Sequence, residues 1–159
     1  MAEPTGPKSI SVTSSAFQNG QPIPPKHTCE GQDVSPALAF SGIPPSAKSL
    51  VLICDDPDAP KGTWLHWTAW NIPPTTTSLQ EGAQPNEGGY REGITDNRKV
   101  GYGGPCPPTG KPHRYFFKLF ALDAVLELRN GANLKELQTA MKEKVIAWGE
   151  LMGTFQRNA

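Results

Sequence analysis

The sequence predicts a mainly β protein, an antiparallel β-sandwich with one clear C-terminal helix and few short ones. Three observations carry this expectation. Glycine (16) and proline (17) supply 33 of the 159 residues, roughly a fifth where an ordinary domain carries about 12%. Loops and turns must therefore be plentiful, although 36% hydrophobic residues are enough to fold. Several runs are β-branched with a period of two, or apolar throughout, as strands are. Only one segment combines helical spacing with a helix start signal.

Taken in order, residues 1–9 (MAEPTGPKS) are polar and broken by proline and glycine, and read as a disordered N-terminal tail. Residues 10–159 then form a single domain. Ile10 to Ser14 alternates and is β-branched, predicting a strand. Pro22, Pro24, Pro25 and Pro36 punctuate the next stretch, predicting extended loop. Ser49 to Cys54 (SLVLIC) is unbroken and apolar, as expected of a strand covered on both faces. His66 to Ile72 is a further strand, closed by Pro73 and Pro74, and residues 75–112 read as long connecting loops. Arg114 to Asp123 (RYFFKLFALD) is the strongest strand signal, with Phe117 and Leu119 on its core face. Asn133 with Glu136 makes a capping box, and Leu134, Leu137, Met141, Val145 and Trp148 recur at helical spacing up to Gly149. The spacing predicts a helix over 134–148, its stripe serving core packing. Gly153 to Arg157 adds a short strand.

Charge narrows the function classes. Fifteen basic and fifteen acidic side chains leave no net charge, which argues against nucleic acid or an anionic membrane as a bulk electrostatic partner. No apolar run approaches the ~18 residues of a membrane span, and the N-terminus lacks a signal-peptide core. A cytoplasmic location is expected. Cys29, Cys54 and Cys106 are widely spaced with no C-x-x-C pair, so reduced thiols are the favoured reading and a Cys29–Cys106 bridge the alternative.

Three patches carry chemistry. Asp55-Asp56-Pro57-Asp58-Ala59-Pro60 comes directly after the buried strand. A lone Asp there would merely cap a turn, but two prolines make this turn stiff and fix where Asp56 and Asp58 point. Trp64-Leu65-His66-Trp67 is the second patch; alternation puts His66 on a face with Thr68 and Trp70, where a histidine is more often a bonded core residue than a ligand. Gly103-Gly104-Pro105-Cys106-Pro107-Pro108 then leads into His113-Arg114-Tyr115. Adjacent glycines let backbone approach a ligand, and His113 and Tyr115 share the face of Phe117 and Leu119.

Together these patches resemble the phosphatidylethanolamine-binding protein family, also called Raf kinase inhibitor-like proteins. The resemblance runs through Thr28-Cys29-Glu30-Gly31, Val34-Ser35-Pro36, D-P-D-A-P at 56–60, His66-Trp67 and G-P-C-P-P at 104–108. It continues through H-R-Y-F-F at 113–117, Ala121-Leu122-Asp123 and Gly153-Thr154-Phe155 with Arg157. The cysteine-bearing motifs resemble its bacterial and archaeal branch, often homodimeric. The loop from Ala83 to Val100 departs from the shorter G-x-N-x-x-G segment of close relatives. The resemblance implies two packed antiparallel sheets with a small anion pocket at one end. Carried over by motif, the ligand-binding residues are Asp56, Asp58, Pro60, Trp64, His66, Gly104, Pro105, His113 and Tyr115. Amides beside Gly104 and two imidazoles would donate to phosphate oxygens, Asp56 would orient an imidazole, and Trp64 and the prolines would form an apolar wall.

The expected function is a soluble ligand-binding or regulatory module for phosphate-bearing small molecules, lipid head groups or phosphoproteins. Its protein partners would be kinases or proteases. The alternative is a hydrolase or lyase acting on a phosphorylated substrate through His/Asp acid–base chemistry. A third reading is a protein-inhibitor or structural role with the pocket incidental, which loss of partner binding on deletion within residues 83–100 would favour. No nucleophile motif supports an enzyme. His66 and His113 with Asp56 lack recognisable metal-site spacing, so neither metal nor cofactor is expected.

Overall fold

The computed structural model describes residues 6–85 and 89–158. Among the described residues there are eight strands: β1 (Ser11–Thr13), β2 (Leu38–Ser41), β3 (Ser49–Asp56), β4 (Trp64–Ile72), β5 (Ser78–Leu79), β6 (Arg91–Glu92), β7 (His113–Leu122) and β8 (Val145–Phe155). Helix α1 spans Leu134–Met141, and a 3-10 turn covers Pro25–His27. The strands form an antiparallel three-stranded sheet in the order β1-β2-β5 and an antiparallel five-stranded sheet in the order β6-β4-β3-β7-β8. The expected sandwich is the observed one.

Every residue of β3 is buried, because the central strand is covered on both sides. Leu50, Leu52 and Cys54 face the smaller sheet, in a core with Phe40, Trp67, Phe117 and Leu119. Val51 and Ile53 face the other way, toward Trp70, Phe120, Leu126, Leu137 and Met141. Helix α1 and the segment before it thus cover the second face of the large sheet. Phe117 and Leu119 are fully buried, as the alternation of β7 requires.

Four expectations are corrected. The helix ends at Met141 rather than at 148. Glu143 adopts φ 65°, which stops the helix, and residues 145–155 alternate as strand β8. Val145 and Trp148 still pack against the α1 side of the core, so the stripe is core although not all helix. The strand expected within 153–157 is the end of β8, and Gly149 lies inside that strand where a side chain would collide with the Ile10 carbonyl. The loops expected before Ser49 and over 75–112 contain β2, β5 and β6, each held by pairing with a longer or neighbouring strand.

The fourth correction concerns the N-terminus. Residues 1–5 lie outside the described residues, but 6–9 are docked. The Trp148 N–H donates to the Pro7 carbonyl, and the Ile10 N–H donates back to the Trp148 carbonyl at 3.1 Å. Further along, Gly20 bonds Met152, while Gln21 and Ile23 bond Thr154. These segments seal the outer edge of β8, which would otherwise present unpaired backbone.

Candidate functional site

The D-P-D-A-P turn joins β3 to β4 at the end of the sandwich. Asp56 Oδ1 accepts the Asp58 N–H at 2.7 Å, closing the turn on its own backbone. Asp58 accepts from Arg114 Nε and Nη2, both at 2.9 Å, and from the Arg114 backbone N–H. That fork holds the Asp58 carboxyl below its ordinary range and ties the turn to the first residues of β7. The proline-stiffened turn therefore fixes Asp56 beside His113, whose Nδ1 lies 2.7 Å from Asp56 Oδ2.

His66 arrives by a different route. Cys54 pairs with Trp67 while the next residue, Asp55, pairs with Leu65, which leaves His66 as the extra residue of a β-bulge. A bulge re-aims its side chain. His66 accordingly leaves the face of Thr68 and Trp70, where simple alternation puts it, and turns edge-on to Tyr115 with ring centroids 5.2 Å apart. Its Nδ1 lies 2.8 Å from the Gly103 carbonyl, and the Gly103 N–H donates to the His66 carbonyl. A carbonyl only accepts, so Nδ1 carries the proton. Burial holds the imidazole below the usual histidine range, against the opposing pull of that bond and of Asp56.

The glycine-rich loop is latched to residues 27–33. Tyr102 Oη donates to the His27 carbonyl, Gly104 N–H to Asp33 Oδ1, and Cys29 N–H to the Pro105 carbonyl. Asp33 takes up φ 59° to reach Gly104, and a methyl at Gly104 would strike the His27 carbonyl. Cys29 and Cys106 are joined by a disulfide with their Cα atoms 5.4 Å apart. This corrects the favoured reading of three reduced thiols. The two loops carry the pair to bridging distance, a fold-level placement that 77 residues of separation conceal. Cys54 remains free and buried, its thiol pushed well up by burial.

These pieces enclose a cavity of about 280 Å³. It brings together Asp56, Pro60, Trp64, His66, Gly104, His113 and Tyr115 of the expected residues. Asp58 and Pro105 do not line it: Asp58 is turned to Arg114, and Pro105 is buried behind the loop with its carbonyl on Cys29. Gly104 lines the cavity with its own N–H committed to Asp33. Cys106 is the one residue of 105–108 with a backbone N–H at all.

The sequence reading missed Ala59, Asn97, Cys106, Pro107 and Pro108 in the lining. Four of these adjoin residues already singled out and could have been found by extending each motif. Asn97 had no such signal. It comes from the 83–100 loop, where Thr95 Oγ1 and Lys99 N–H both donate to its Oδ1. That leaves Nδ2 as its remaining hydrogen-bonding group.

Tyr115 lies at the back of the cavity. Its hydroxyl is buried without an acceptor in hydrogen-bond geometry, and burial together with the Asp56 charge pushes it far above the ordinary tyrosine range. It therefore stays a donor. Trp64 stands at the mouth, 42% exposed, as an apolar wall. The arrangement is a small cavity of apolar rings and prolines with a few convergent polar groups, the usual build of a small-ligand site. Among the described residues no group of three or more His, Cys, Asp or Glu is placed to hold a metal ion. No described helix is long and apolar enough to cross a membrane.

Comparison with known proteins places this geometry in a lineage. The sequence profile described as "Phosphatidylethanolamine-binding protein" matches residues 13–156. A UPF0098 protein of Methanothermobacter thermautotrophicus is 45% identical over 152 residues, covering 93% of this chain and 99% of that one. Another from Pyrococcus horikoshii is 49% identical over 151 residues, covering 91% and 75%. Among solved structures, a phosphatidylethanolamine-binding protein homolog from Chlamydia trachomatis superposes with a TM-score of 0.88 at 42% identity, covering 95% of this chain and 99% of that one. YbcL of E. coli, described as a member of the mammalian family, gives 0.86 at 33% identity, covering 94% and 99%. With the profile spanning nearly the whole chain and relatives at this identity, the chain belongs to the phosphatidylethanolamine-binding protein family.

Proposed function

We propose that this protein is a binding module whose end cavity takes a small phosphoryl-type oxyanion, free or as the head of a larger ligand. The observation that carries this reading is the convergence of Asp56-oriented His113, His66 and a buried Tyr115 hydroxyl with no partner in direct hydrogen-bond geometry on one small cavity, the Asp56 carboxylate acting on that hydroxyl as well. A buried hydroxyl without a partner costs free energy unless something accepts from it. An anion oxygen is the acceptor that the Tyr115 hydroxyl and Asn97 Nδ2 suit. A cavity of about 280 Å³ suits a head group better than a whole nucleotide or lipid.

Binding is favoured over turnover by the lining itself. The described lining contains no serine or threonine, and Cys106 is in a disulfide, so no hydroxyl of the serine or threonine kind and no free thiol faces the His113–Asp56 pair. Modulation of a kinase or protease would run through whatever larger partner carries the phosphoryl group. The bridge between Cys29 and Cys106 suits an oxidising compartment, or a cytoplasm that tolerates disulfides.

The test is a titration of the protein with inorganic phosphate and O-phosphoethanolamine, monitored by amide and indole NMR shifts. Shifts converging on Trp64, His66, Asn97 and Tyr115 are expected. Saturable binding with shifts elsewhere would refute the site, and release of phosphate from O-phosphoethanolamine would favour the hydrolase reading.

A further inference from the structure

Resting on the proposed oxyanion pocket, we infer that it selects by protonation state: it accepts oxyanions that still carry an O–H, such as hydrogen phosphate, and rejects fully deprotonated ones such as sulfate. His66 is the residue that makes the distinction.

Among the described residues no lysine or arginine lines the cavity. Arg114 and Lys61 each adjoin a lining residue in sequence, and Arg157 Nη1 donates to the Pro107 carbonyl at 3.2 Å. The Arg114 guanidinium is forked onto Asp58, which does not line the cavity. Lys118 is engaged with Asp55. Among the described lining residues the carboxylate of Asp56, paired with His113, has the same sign as the ligand. A site of this kind gains little from adding bare negative charge in a low-dielectric setting and much from a ligand that brings its own proton.

Hydrogen bonding points the same way. His66 Nδ1–H is committed to the Gly103 carbonyl, so the neutral ring has a lone pair at Nε2 as its remaining polar edge on the cavity it lines. The groups around it from each packed element are Asp55 and Asp56 on β3, His113 and Tyr115 on β7, and Asp33 in the loop beneath Gly104. Asp55 and Asp56 favour a charged imidazole, yet burial outweighs them and keeps the ring neutral. A sulfate oxygen at Nε2 would set lone pair against lone pair. A P–OH there donates instead, while the remaining oxygens accept from the Tyr115 hydroxyl and Asn97 Nδ2. Discrimination arises because one partner of a buried pair would be left unsatisfied.

Inorganic phosphate is the diagnostic probe because even its dianion keeps one O–H. A phosphomonoester, with its second pKa of about 6, loses that proton by neutral pH. It must therefore take up a proton on binding.

Calorimetric titration of the wild-type protein with phosphate and with sulfate, at fixed ionic strength and at pH 7.5 and 5.5, tests the inference. NMR shifts at His66 and Tyr115 locate the binding. At pH 7.5 phosphate should bind about tenfold tighter than sulfate or better, as expected for one lost buried hydrogen bond. As the pH falls and His66 takes up a proton, the gap should narrow. O-phosphoethanolamine at pH 7.5, titrated in buffers of different ionisation enthalpy, should show uptake of about one proton. His66→Gln, which replaces the lone-pair edge with an amide that can donate, should bring the two anions to similar affinity. Equal wild-type affinity for phosphate and sulfate at pH 7.5, with the same pocket shifts, would overturn the selectivity and leave the pocket reading standing. If neither anion moves pocket resonances at either pH, both readings fail together.

Discussion

His113 Nδ1 and Asp56 Oδ2 meet at 2.7 Å across the adjacent ends of β7 and β3, and both side chains are largely buried. The bond fixes which ring nitrogen carries the proton and leaves Nε2 for the cavity. Asp56 in turn depends on the turn after it, because its other oxygen closes on the Asp58 N–H. The position of the imidazole is thus set by a proline-stiffened turn on a different strand.

His113→Ala should weaken phosphate binding and lower stability by about 1–3 kcal/mol, because the buried Asp56 carboxylate loses a hydrogen-bond partner. In a double-mutant cycle with Asp56→Asn, the two losses should be less than additive. Urea denaturation of the four proteins supplies the cycle. Strict additivity would mean that the two side chains do not act as a pair.

The disulfide should be a large stability term. It closes a long loop, with 77 residues separating its ends, for which removal typically costs about 2–5 kcal/mol. Cys29→Ser with Cys106→Ser should lower the urea midpoint accordingly, and thiol titration of the unfolded wild type without reductant should find one free thiol, Cys54. Three reactive thiols would show that the bridge does not form.

Phe117 is fully buried between the sheets, with Phe17 at a ring separation of 6.0 Å. Phe117→Ala should therefore cost about 3–5 kcal/mol by chemical denaturation. A loss under about 1 kcal/mol would contradict its place in the core.

Gly104→Ala tests the latch between the two pocket loops. The added methyl would meet the His27 carbonyl and the Thr28 backbone, which cannot yield, and Asp33 Oδ1, the acceptor of the Gly104 N–H. A cost of about 1–3 kcal/mol is expected, as for other overpacked sites. Phosphate affinity should fall with it, since the loop carrying Cys106 and Pro107 must shift.

Legibility in the sequence differs by element. The apolar run of β3 and the alternation of β7 declare themselves, because burial on two faces and on one face leave different patterns. Hydrophobic spacing over-extends helix α1 because Val145 and Trp148 continue its stripe. The helix is ended by a backbone angle at Glu143, which hydrophobic periodicity does not encode. Strands β5 and β6, two residues each, exist through pairing with β2 and β4 and have no local signature. At the site, the rigid motifs 56–60 and 104–108 mark the cavity. The direction of His66 does not come from alternation, since a bulge breaks the period at that residue. Asn97 and the Cys29–Cys106 bridge depend on how distant loops meet, which only the fold decides.

Stability should also depend on pH through His66. The ordinary histidine value is 6.5, and folding lowers that of His66 through burial. Between the two values the unfolded chain holds the extra proton, so stability rises with pH across that window. The contribution is complete above 6.5, declines as pH falls below it, and levels off once the folded protein also protonates. Asp55 and Glu92 are raised by burial and act oppositely, contributing stability at low pH that is lost as pH rises through their folded values. A single pH profile would mix these effects, so the difference between wild type and His66→Gln is the quantity to measure. Urea midpoints at pH 7.5, 6.5 and 5.5 should show the wild-type advantage shrinking as the pH falls. The profiles should be run without phosphate, because a bound anion stabilises the folded state by mass action. A difference that stays constant over this range would mean that His66 titrates alike in the folded and unfolded chains, and that burial does not hold it neutral.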